Sequence, residues 1–251
     1  MGSKVENITP YGTGGDRRAK STQVREMFDS IAPSYDLMNR MMTLGGLDRR
    51  WRRKCVDLVA SRRPTDVLDL ATGTGDLAVS LAKAIPDAQI TGGDLSEGML
   101  QVGRMKIDRL GLSGRVSLRV ADALNLPFPD DSFDAITIGF GVRNFEHLDR
   151  GYAEMTRVLR PGGLLVVLEL TPPASKVVKP FYNFYTRRII PAVGRIVSRD
   201  SRAYSYLPES IAAVPARDDM TALMKGVGLT DTRWKSLAFG AATIYTAIKP
   251  S

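Results

Sequence analysis

Short runs of aliphatic and β-branched residues alternate with amphipathic stretches through the middle of the chain. The runs predict strands, and the stretches, whose apolar residues recur every three or four positions, predict helices. This alternation is typical of βαβ units, in which each helix crosses over a parallel sheet. The predicted strands are 66–71, 89–94, 115–121, 135–139 and 164–170, and the predicted helices are 77–85, 97–110 and 149–159.

The two ends of the chain depart from this alternation. Residues 23–63 predict helices packed against the sheet edge, and residues 171–215 interrupt the order of elements after the fifth strand. A helix at 219–227 precedes strands at 231–236 and 242–248, whose short Gly-containing connection predicts an antiparallel hairpin. We therefore expect an α/β fold with a seven-stranded, mostly parallel sheet, formed by one domain at 23–251 after a flexible arm at 1–22.

Composition narrows the class of protein. The 251 residues, 43% hydrophobic and 25% charged, can bury one sizeable core. No run approaches the roughly 18 apolar residues of a spanning helix, and the polar start lacks the apolar centre of a secretory signal, so we expect a cytoplasmic protein. The single Cys55 excludes an internal disulfide and favours a packed thiol, and no metal site is predicted.

The charge points to an anionic partner. The 35 Lys and Arg residues outnumber the 27 Asp and Glu residues, which leaves a formal net charge of +8. Such an excess favours binding either to nucleic acid or to an anionic membrane surface, and charge alone does not choose between them.

A glycine-rich turn follows the first predicted strand. Gly73, Thr74 and Gly75 lie between that strand and a helix, where glycines let the backbone approach a ligand at the carboxyl end of the sheet. The spacing also fits the dinucleotide fingerprint G-x-G-x-x-A. Asp94 follows Gly75 at the distance expected of a group that binds ribose hydroxyls. The spacing therefore predicts a nucleotide-like ligand, which could be a dinucleotide or S-adenosylmethionine.

The acidic residues beside this turn separate the two ligands. Asp69 and Asp76 would repel a pyrophosphate, whereas S-adenosylmethionine carries an ammonium and a sulfonium that carboxylates attract. We therefore favour S-adenosylmethionine. The structural alternative, in which Asp76 caps its helix and the glycines only make a tight turn, does not account for Asp69 and Asp94.

A third strand end carries another acid. Asp122 and Ala123 follow the third predicted strand, and an apolar Leu-Pro-Phe segment comes soon after. A carboxylate there can accept a hydrogen bond from an adenine amino group while apolar side chains contact the ring. The alternative is a simple turn-forming Asp, but because this is the third strand end with a suitable group, we favour adenine.

With these groups in place, the chain resembles the class I S-adenosylmethionine methyltransferases, and more narrowly the ubiquinone and menaquinone biosynthesis C-methyltransferases. The resemblance runs from residue 24 to 248 through the strings FDSIAPSYDLMN at 28–39, FGVRN at 140–144 and AYSYLPESI at 203–211. It implies a Rossmann-like fold and donor contacts at Thr74, Asp94, Asp122, Ala123 and Gly139. Family members also carry Asn at position 122 and Ser at 139, so a contact at Gly139 must come from its backbone.

The resemblance also implies a prenylated quinol as the acceptor. Arg143 and Asn144, after the fourth strand, are expected to hold the phenolate or to orient a water that takes its proton. The alternative for Arg143 is a surface salt bridge with Glu146 or Asp149.

His147 is a weaker candidate for a general base, because a lone His at a helix start is more often a surface residue. Further expected contacts to the quinol, with core packing as the alternative, are Tyr35, Tyr182, Tyr204 and Tyr206.

Two segments predict contact with a membrane. Residues 171–215 intersperse four tyrosines, Phe181 and Phe184 with basic residues, which suggests a lid whose rings cover an apolar tunnel while its cations contact lipid headgroups. Residues 47–54 add a basic patch with a Trp, for which a solvated helix is the alternative. The expected partners are a lipoquinol and an anionic membrane, without nucleic acid; a homodimer and a quinone-biosynthesis complex remain open.

The leading hypothesis is therefore methylation of demethylmenaquinol to menaquinol with S-adenosylmethionine as donor. C-methylation of a methoxy polyprenyl benzoquinol on the ubiquinone pathway is the near alternative, because the chemistry at the ring carbon is shared. The more distant alternatives are a nucleic-acid methyltransferase, motivated by the charge, and a non-catalytic scaffold in a biosynthetic membrane complex.

Overall fold

The computed structural model describes residues 8–10, 18–42, 46–173, 175, 177–184, 188 and 202–251, with the backbone alone at 38, 40–42, 179, 181, 183 and 202–205. Most of the predicted arm and the central part of the predicted lid lie outside the described residues. The side chains of Tyr204 and Phe181, two of the expected lid aromatics, also lie outside them.

Seven strands form one sheet. Their order is β3-β2-β1-β4-β5-β7-β6, in which β7 runs antiparallel to both of its neighbours and the other adjacent pairs are parallel. The predicted mostly parallel sheet with a terminal antiparallel hairpin is thus confirmed. The strands are β1 Asp66–Leu70, β2 Gln89–Asp94, β3 Val116–Val120, β4 Phe133–Gly139, β5 Leu159–Leu170, β6 Thr230–Leu237 and β7 Ala242–Ile248.

The strands at the centre of the sheet are buried on both faces. In β5, Leu165 and Val167 belong to one apolar core, and Leu164, Val166 and Leu168 belong to the other. Side chains of a strand point alternately to opposite faces, so a continuous aliphatic run supplies both cores at once.

The described helices are α1 Lys20–Ile31, α2 Tyr35–Met42, α3 Leu47–Ala60, α4 Asp76–Ala84, α5 Glu97–Arg109, α6 Leu148–Val158, α7 Val178–Phe184, α8 Arg202–Ala213 and α9 Asp218–Gly226.

Strand β5 begins five residues before its predicted start. Leu159 already pairs with Phe133, and the register then shifts before the regular pairing with β4 resumes. Gly162, with φ of +75°, donates its N–H to the carbonyl of Lys249 at 2.8 Å. The Pro-Gly-Gly segment that follows helix α6 therefore pairs with the residue after β7.

Helix α1 begins within the predicted arm, which corrects the boundary at residue 22. Lys20 is buried, and its Nζ donates to the carbonyl oxygens of Arg143 and Phe145, both at 3.1 Å. These bonds fix the first turn of α1 against the end of the sheet. Among the described residues, no helix combines the length and the apolar character needed to cross a membrane.

Candidate active site

The glycine turn joins β1 to α4 at the carboxyl edge of the sheet. Gly73 and Gly75 have φ angles of +56° and +78°, a conformation that favours glycine. The N–H of Gly73 donates to Asp94 Oδ2 at 2.8 Å, and the N–H of Ser96 donates to Oδ1 at 2.9 Å. Asp94 therefore connects the turn after β1 with the turn after β2, and loss of hydration raises the pKa of its carboxyl group.

Predicted donor-binding residues from successive strand ends line one cleft. Gly73 follows β1, Asp94 ends β2, Asp122 and Ala123 follow β3, and Gly139 ends β4. Asn144 and the side chains of α1 and α2 form the opposite wall. The wall residues supplied by the N-terminal helices include Ser21, Val24, Arg25, Phe28 and Tyr35.

Asp122 combines both of the roles considered for it. Its Oδ1 accepts the N–H of Leu124 at 2.9 Å, and its carbonyl accepts the N–H of Asn125 at 3.0 Å, so it does form a turn. Its Oδ2 accepts no hydrogen bond from the described residues and is free to face a ligand in the cleft. A turn-forming carboxylate therefore still offers one acceptor to an adenine amino group.

Asp69 lies outside the cleft lining, so its expected role at the donor stays a prediction. Its two carboxylate oxygens accept hydrogen bonds from Thr72 Oγ1 at 2.6 Å and Thr137 Oγ1 at 2.7 Å. Asp69 is buried, and burial raises its pKa to about 6 even though both threonines favour the charged form. It ties β1 to its own turn and to β4, because it lies one residue too early to reach the strand end.

Thr74 and Gly75 also lie outside the cleft lining, and a polar cluster occupies the far side of the turn. Thr74 Oγ1 donates to Asp36 Oδ1 at 2.6 Å, and Lys106 Nζ pairs with Asp36 at 2.7 Å and Asp76 at 2.6 Å. Asp76 makes no cap for α4, whose N-cap is Gly75. Burial opposes ionisation of Asp76, but Lys106, together with Arg52 and Arg49, outweighs it and lowers the pKa.

Three polar contacts fasten the N-terminal helices over the cleft. Lys20 binds the two backbone carbonyls described above, and Asp36 at the start of α2 binds Thr74 and Lys106. Between them, Asp29 in α1 accepts a hydrogen bond from Ser96 Oγ at 2.6 Å. The spacing of these contacts along α1 and α2 holds Phe28 and Tyr35 against the cleft.

Arg143 is buried and forms no surface salt bridge with Glu146 or Asp149, the alternative considered for it. Its Nη1 pairs with Glu169 Oε1 at 2.8 Å and also donates to the carbonyl of Phe140, while its backbone N–H donates to Glu169 Oε2 at 3.2 Å. Burial disfavours the charge, but Glu169 raises the pKa of Arg143. Sequence reasoning missed Glu169, although an acid within the apolar end of β5 was a usable signal.

The remaining predicted acceptor contacts divide by position. Asn144 and Tyr35 line the cleft, and buried Tyr206 donates its hydroxyl to Asn144 Oδ1 at 3.1 Å. Tyr206 and Tyr182 both lie within electrostatic range of Arg143, and burial raises the pKa of Tyr182 to about 12. Arg143, Tyr182 and Tyr206 do not line the cleft themselves; Tyr206 reaches its wall through Asn144. Tyr204 stays a prediction.

Three other residues were considered for chemistry or membrane contact. His147 is exposed, stands just before α6 and does not line the cleft. Cys55 is buried, and burial raises the pKa of its thiol to about 12, as expected of a packed residue. Trp51 of the basic patch is buried too, with its ring centroid 6.3 Å from that of Phe140, so it does not face outward.

The strand order and the cleft at the carboxyl ends of adjacent strands are those of the Rossmann-like methyltransferase fold. Solved structures share the fold. The [4+2]-cyclase SpnF aligns with a TM-score of 0.66 at 22% identity, over 92% of this chain and 97% of that one. A SAM-dependent methyltransferase from Aquifex aeolicus aligns with a TM-score of 0.56 at 16% identity, over 77% and 88% of the two chains.

The chain belongs to the ubiE/COQ5 methyltransferase family, whose family model matches residues 16–249. It is 45% identical over 249 residues to the demethylmenaquinone methyltransferase of Bacteroides fragilis, covering 99% of this chain and 100% of that relative. It is 44% identical over 231 residues to the ubiquinone/menaquinone biosynthesis C-methyltransferase UbiE of Geobacter sulfurreducens, covering 92% and 90%. The family predicted from the sequence is confirmed, and the methyl donor is S-adenosylmethionine.

Proposed function

We propose that the protein methylates a ring carbon of a prenylated naphthoquinol, converting demethylmenaquinol to menaquinol. The observation that carries the proposal is the position of the Arg143–Asn144 turn, which follows directly from a strand end of the donor cleft and contributes Asn144 to its wall. The names of the two relatives, a demethylmenaquinone methyltransferase and a ubiquinone/menaquinone C-methyltransferase, support the same substrate class.

The described cleft residues fit S-adenosylmethionine. Gly73 leaves room at the turn, Asp94 offers carboxylate lone pairs to ribose hydroxyls, and Asp122 Oδ2 remains open to an adenine amino group. When bound, S-adenosylmethionine supplies an electrophilic methyl group. We assign Gly73, Asp94, Asp122, Ala123 and Gly139 to the cleft wall that binds it, whereas Asp69, Thr74 and Gly75 support that wall from behind.

The acceptor side must stabilise a phenolate. A hydroquinone that loses a phenolic proton concentrates electron density on the carbon beside the oxygen, so the reduced quinol is the nucleophile. A fixed guanidinium in a buried site stabilises such an oxyanion without reorganisation. Arg143 would therefore hold the quinol oxygen, with Asn144, Tyr35 and Tyr206 orienting the ring and Tyr182 and Tyr204 as further contacts. Alignment of two bound reactants can contribute about 7–11 kcal/mol.

The direct test is an anaerobic assay with S-adenosylmethionine labelled in its methyl group. Reduced demethylmenaquinol and the methoxy polyprenyl benzoquinol are offered separately, with the oxidised quinones as controls. We expect label in the naphthoquinol and none in the oxidised forms. Label in the benzoquinol alone would move the protein to the ubiquinone pathway, and label in neither, although the donor binds, would refute the proposal and favour a scaffold.

The same assay with RNA and DNA tests the nucleic-acid alternative. Binding to nucleic acid through a net charge of +8 would weaken steeply with salt, because counterion release dominates such binding. We expect no label in either polymer at any salt concentration.

We further propose that the protein works at the cytoplasmic surface of an anionic membrane. Helix α3 exposes Arg49, Arg50, Arg53 and Lys54, and Phe184 in α7 is exposed as well. Each basic residue near an anionic surface contributes about 1 kcal/mol to binding. Two neutralised arginines should thus lower the vesicle partition coefficient by roughly thirtyfold.

A matched pair of variants tests the membrane contact. Arg49→Ala/Arg50→Ala removes two charges from α3, and Arg233→Ala/Lys235→Ala removes two exposed charges from β6. Cosedimentation uses vesicles of phosphatidylglycerol and phosphatidylcholine. We expect only the α3 variant to lose binding; equal losses would show that net charge, and not α3, mediates the contact.

A further inference from the structure

Glu169 is a fully buried carboxylate near the end of β5. Its Oε1 accepts hydrogen bonds from Arg143 Nη1 and from the N–H of Leu170, both at 2.8 Å, and its Oε2 accepts the backbone N–H of Arg143. A buried charge is tolerated only when it is paired and hydrogen-bonded, and these three bonds meet that requirement. Glu169 therefore binds both the backbone and the guanidinium of one residue.

The strand that carries Glu169 is fixed on both sides. Glu169 is opposite Thr243 of β7, and the preceding Leu168 is opposite Gly139 of β4. Two residues further on, Thr171 donates its hydroxyl to the carbonyl of Gly240 at 2.8 Å. The carboxylate thus projects from a rigid part of the sheet, whereas Arg143 lies in a short 3-10 turn, Val142–Asn144.

The ion pair between Arg143 and Glu169 uses only some of the N–H donors of the guanidinium. Nη1 is occupied by Glu169 and by the carbonyl of Phe140, whereas Nε is buried and, with Nη2, has no hydrogen-bond partner within the described residues. Tyr35 and Tyr206 lie within electrostatic range of the same group. A buried donor without a partner is costly unless a ligand oxygen meets it.

We propose that Glu169 is a positioning residue for methyl transfer: it holds Arg143 with Nη1 turned inward, so that Nε and Nη2 are presented to the oxygen of the acceptor. This inference rests on the proposed quinol function. Because Glu169 acts through Arg143, its effect belongs to catalysis and not to donor binding.

The test is a double-mutant cycle on the full-length protein. Glu169→Gln keeps the size of the side chain but places an amide donor against the N–H donors of Arg143. We expect kcat for the labelled quinol product to fall at least tenfold, with the Kd of S-adenosylhomocysteine within twofold of wild type. In the Arg143→Ala background the same substitution should change kcat less than twofold, because coupled residues are not additive.

The control is Asp134→Asn at the opposite end of β4. Asp134 also pairs with an arginine, Arg160, at 2.7 Å, and accepts backbone N–H groups, but it lies away from the cleft. It should lower stability and leave kcat unchanged. This separates a general loss of stability from loss of the positioned guanidinium.

Three outcomes would overturn the proposal: wild-type kcat in Glu169→Gln, an equal loss in the Arg143→Ala background, or a loss explained by weaker donor binding. If Glu169→Gln does not fold, Glu169→Asp retains the charge while drawing the carboxylate back by one methylene, and unchanged kcat there would equally refute positioning. A wild-type protein that methylates neither quinol refutes the proposed function instead, so the two failures are distinguishable.

Discussion

Replacing Lys106 by Met would remove the ammonium group that joins the start of α2 to the glycine turn. The substitution keeps an unbranched side chain of similar length and deletes the ion pairs with Asp36 and Asp76, together with the 3.2 Å contact from Nζ to Thr74 Oγ1. The hydrogen bond between Thr74 and Asp36 would remain between helix α2 and the turn, without the cation that binds both residues. The cover over the donor cleft should open more readily.

The free-energy cost of removing Lys106 follows from the solvent exposure of its two partners. The side chains of Asp36 and Asp76 are 39% and 41% exposed, so solvent screens both pairs. Each pair contributes about 0.5 kcal/mol at such exposure. The two carboxylates also repel each other once the cation is gone, which raises the total cost to about 1–2 kcal/mol. If donor binding requires the closed cover, the donor Kd should rise roughly 5–30-fold.

Calorimetric titration with S-adenosylhomocysteine measures this change. S-adenosylhomocysteine, the demethylated product, has no sulfonium charge. A change in its Kd therefore does not come from a lost charge repulsion between Lys106 and a sulfonium. Arg104→Met is the matched control, because Arg104 lies on the same helix and pairs with Glu97 at 2.5 Å, and its other bonds go to the carbonyl of Leu118 in β3 and not to α2. We expect the control to keep wild-type affinity. Unchanged affinity in Lys106→Met would refute the role of the cluster in holding the cover.

Three further outcomes are expected. Arg143→Ala should lower turnover by at least tenfold with the S-adenosylmethionine Kd unchanged in calorimetry, and unchanged turnover would remove it from the mechanism. Burial raises the pKa of Asp69 to about 6 in the folded protein, against about 4 in the unfolded chain. Its contribution to stability is therefore present below about pH 4 and is lost as the pH rises through 6. Denaturant unfolding should show Asp69→Asn gaining up to about 3 kcal/mol of stability relative to wild type between pH 4 and pH 7. Cys55 should react with iodoacetamide at pH 8 only after unfolding, and rapid labelling of the native protein would contradict its burial.

The parts of the fold that depend on local patterns were predictable. Short windows of sequence contain the aliphatic runs of β1, β2 and β5. They also contain the glycine and proline residues that form the turns between elements. The strand-end positions of Asp94 and Asp122 follow from topology, because the carboxyl ends of parallel strands meet at one edge. These residues reach the same cleft even though they are far apart in the chain.

The contacts that could not be predicted concern side-chain partners. Asp69 is held by Thr72 of its own turn and by Thr137 of β4, and the second of these lies 68 residues away. Arg143 could have paired with nearby Glu146, but its partner lies 26 residues later in β5. Lys20 binds carbonyls more than 120 residues away. Such long-range pairings depend on tertiary packing, which no local window contains.

The two hydrogen bonds from Lys20 have a consequence for the kinetics of turnover. Under the proposed function, the helix that starts at Lys20 covers the donor cleft, and the turn it binds carries the arginine assigned to the quinol. An opening of α1 that releases the demethylated product would also withdraw a support from that turn. Exchange of one ligand would thereby be coupled to occupancy by the other, which would favour an ordered sequence with the donor entering first and its product leaving last.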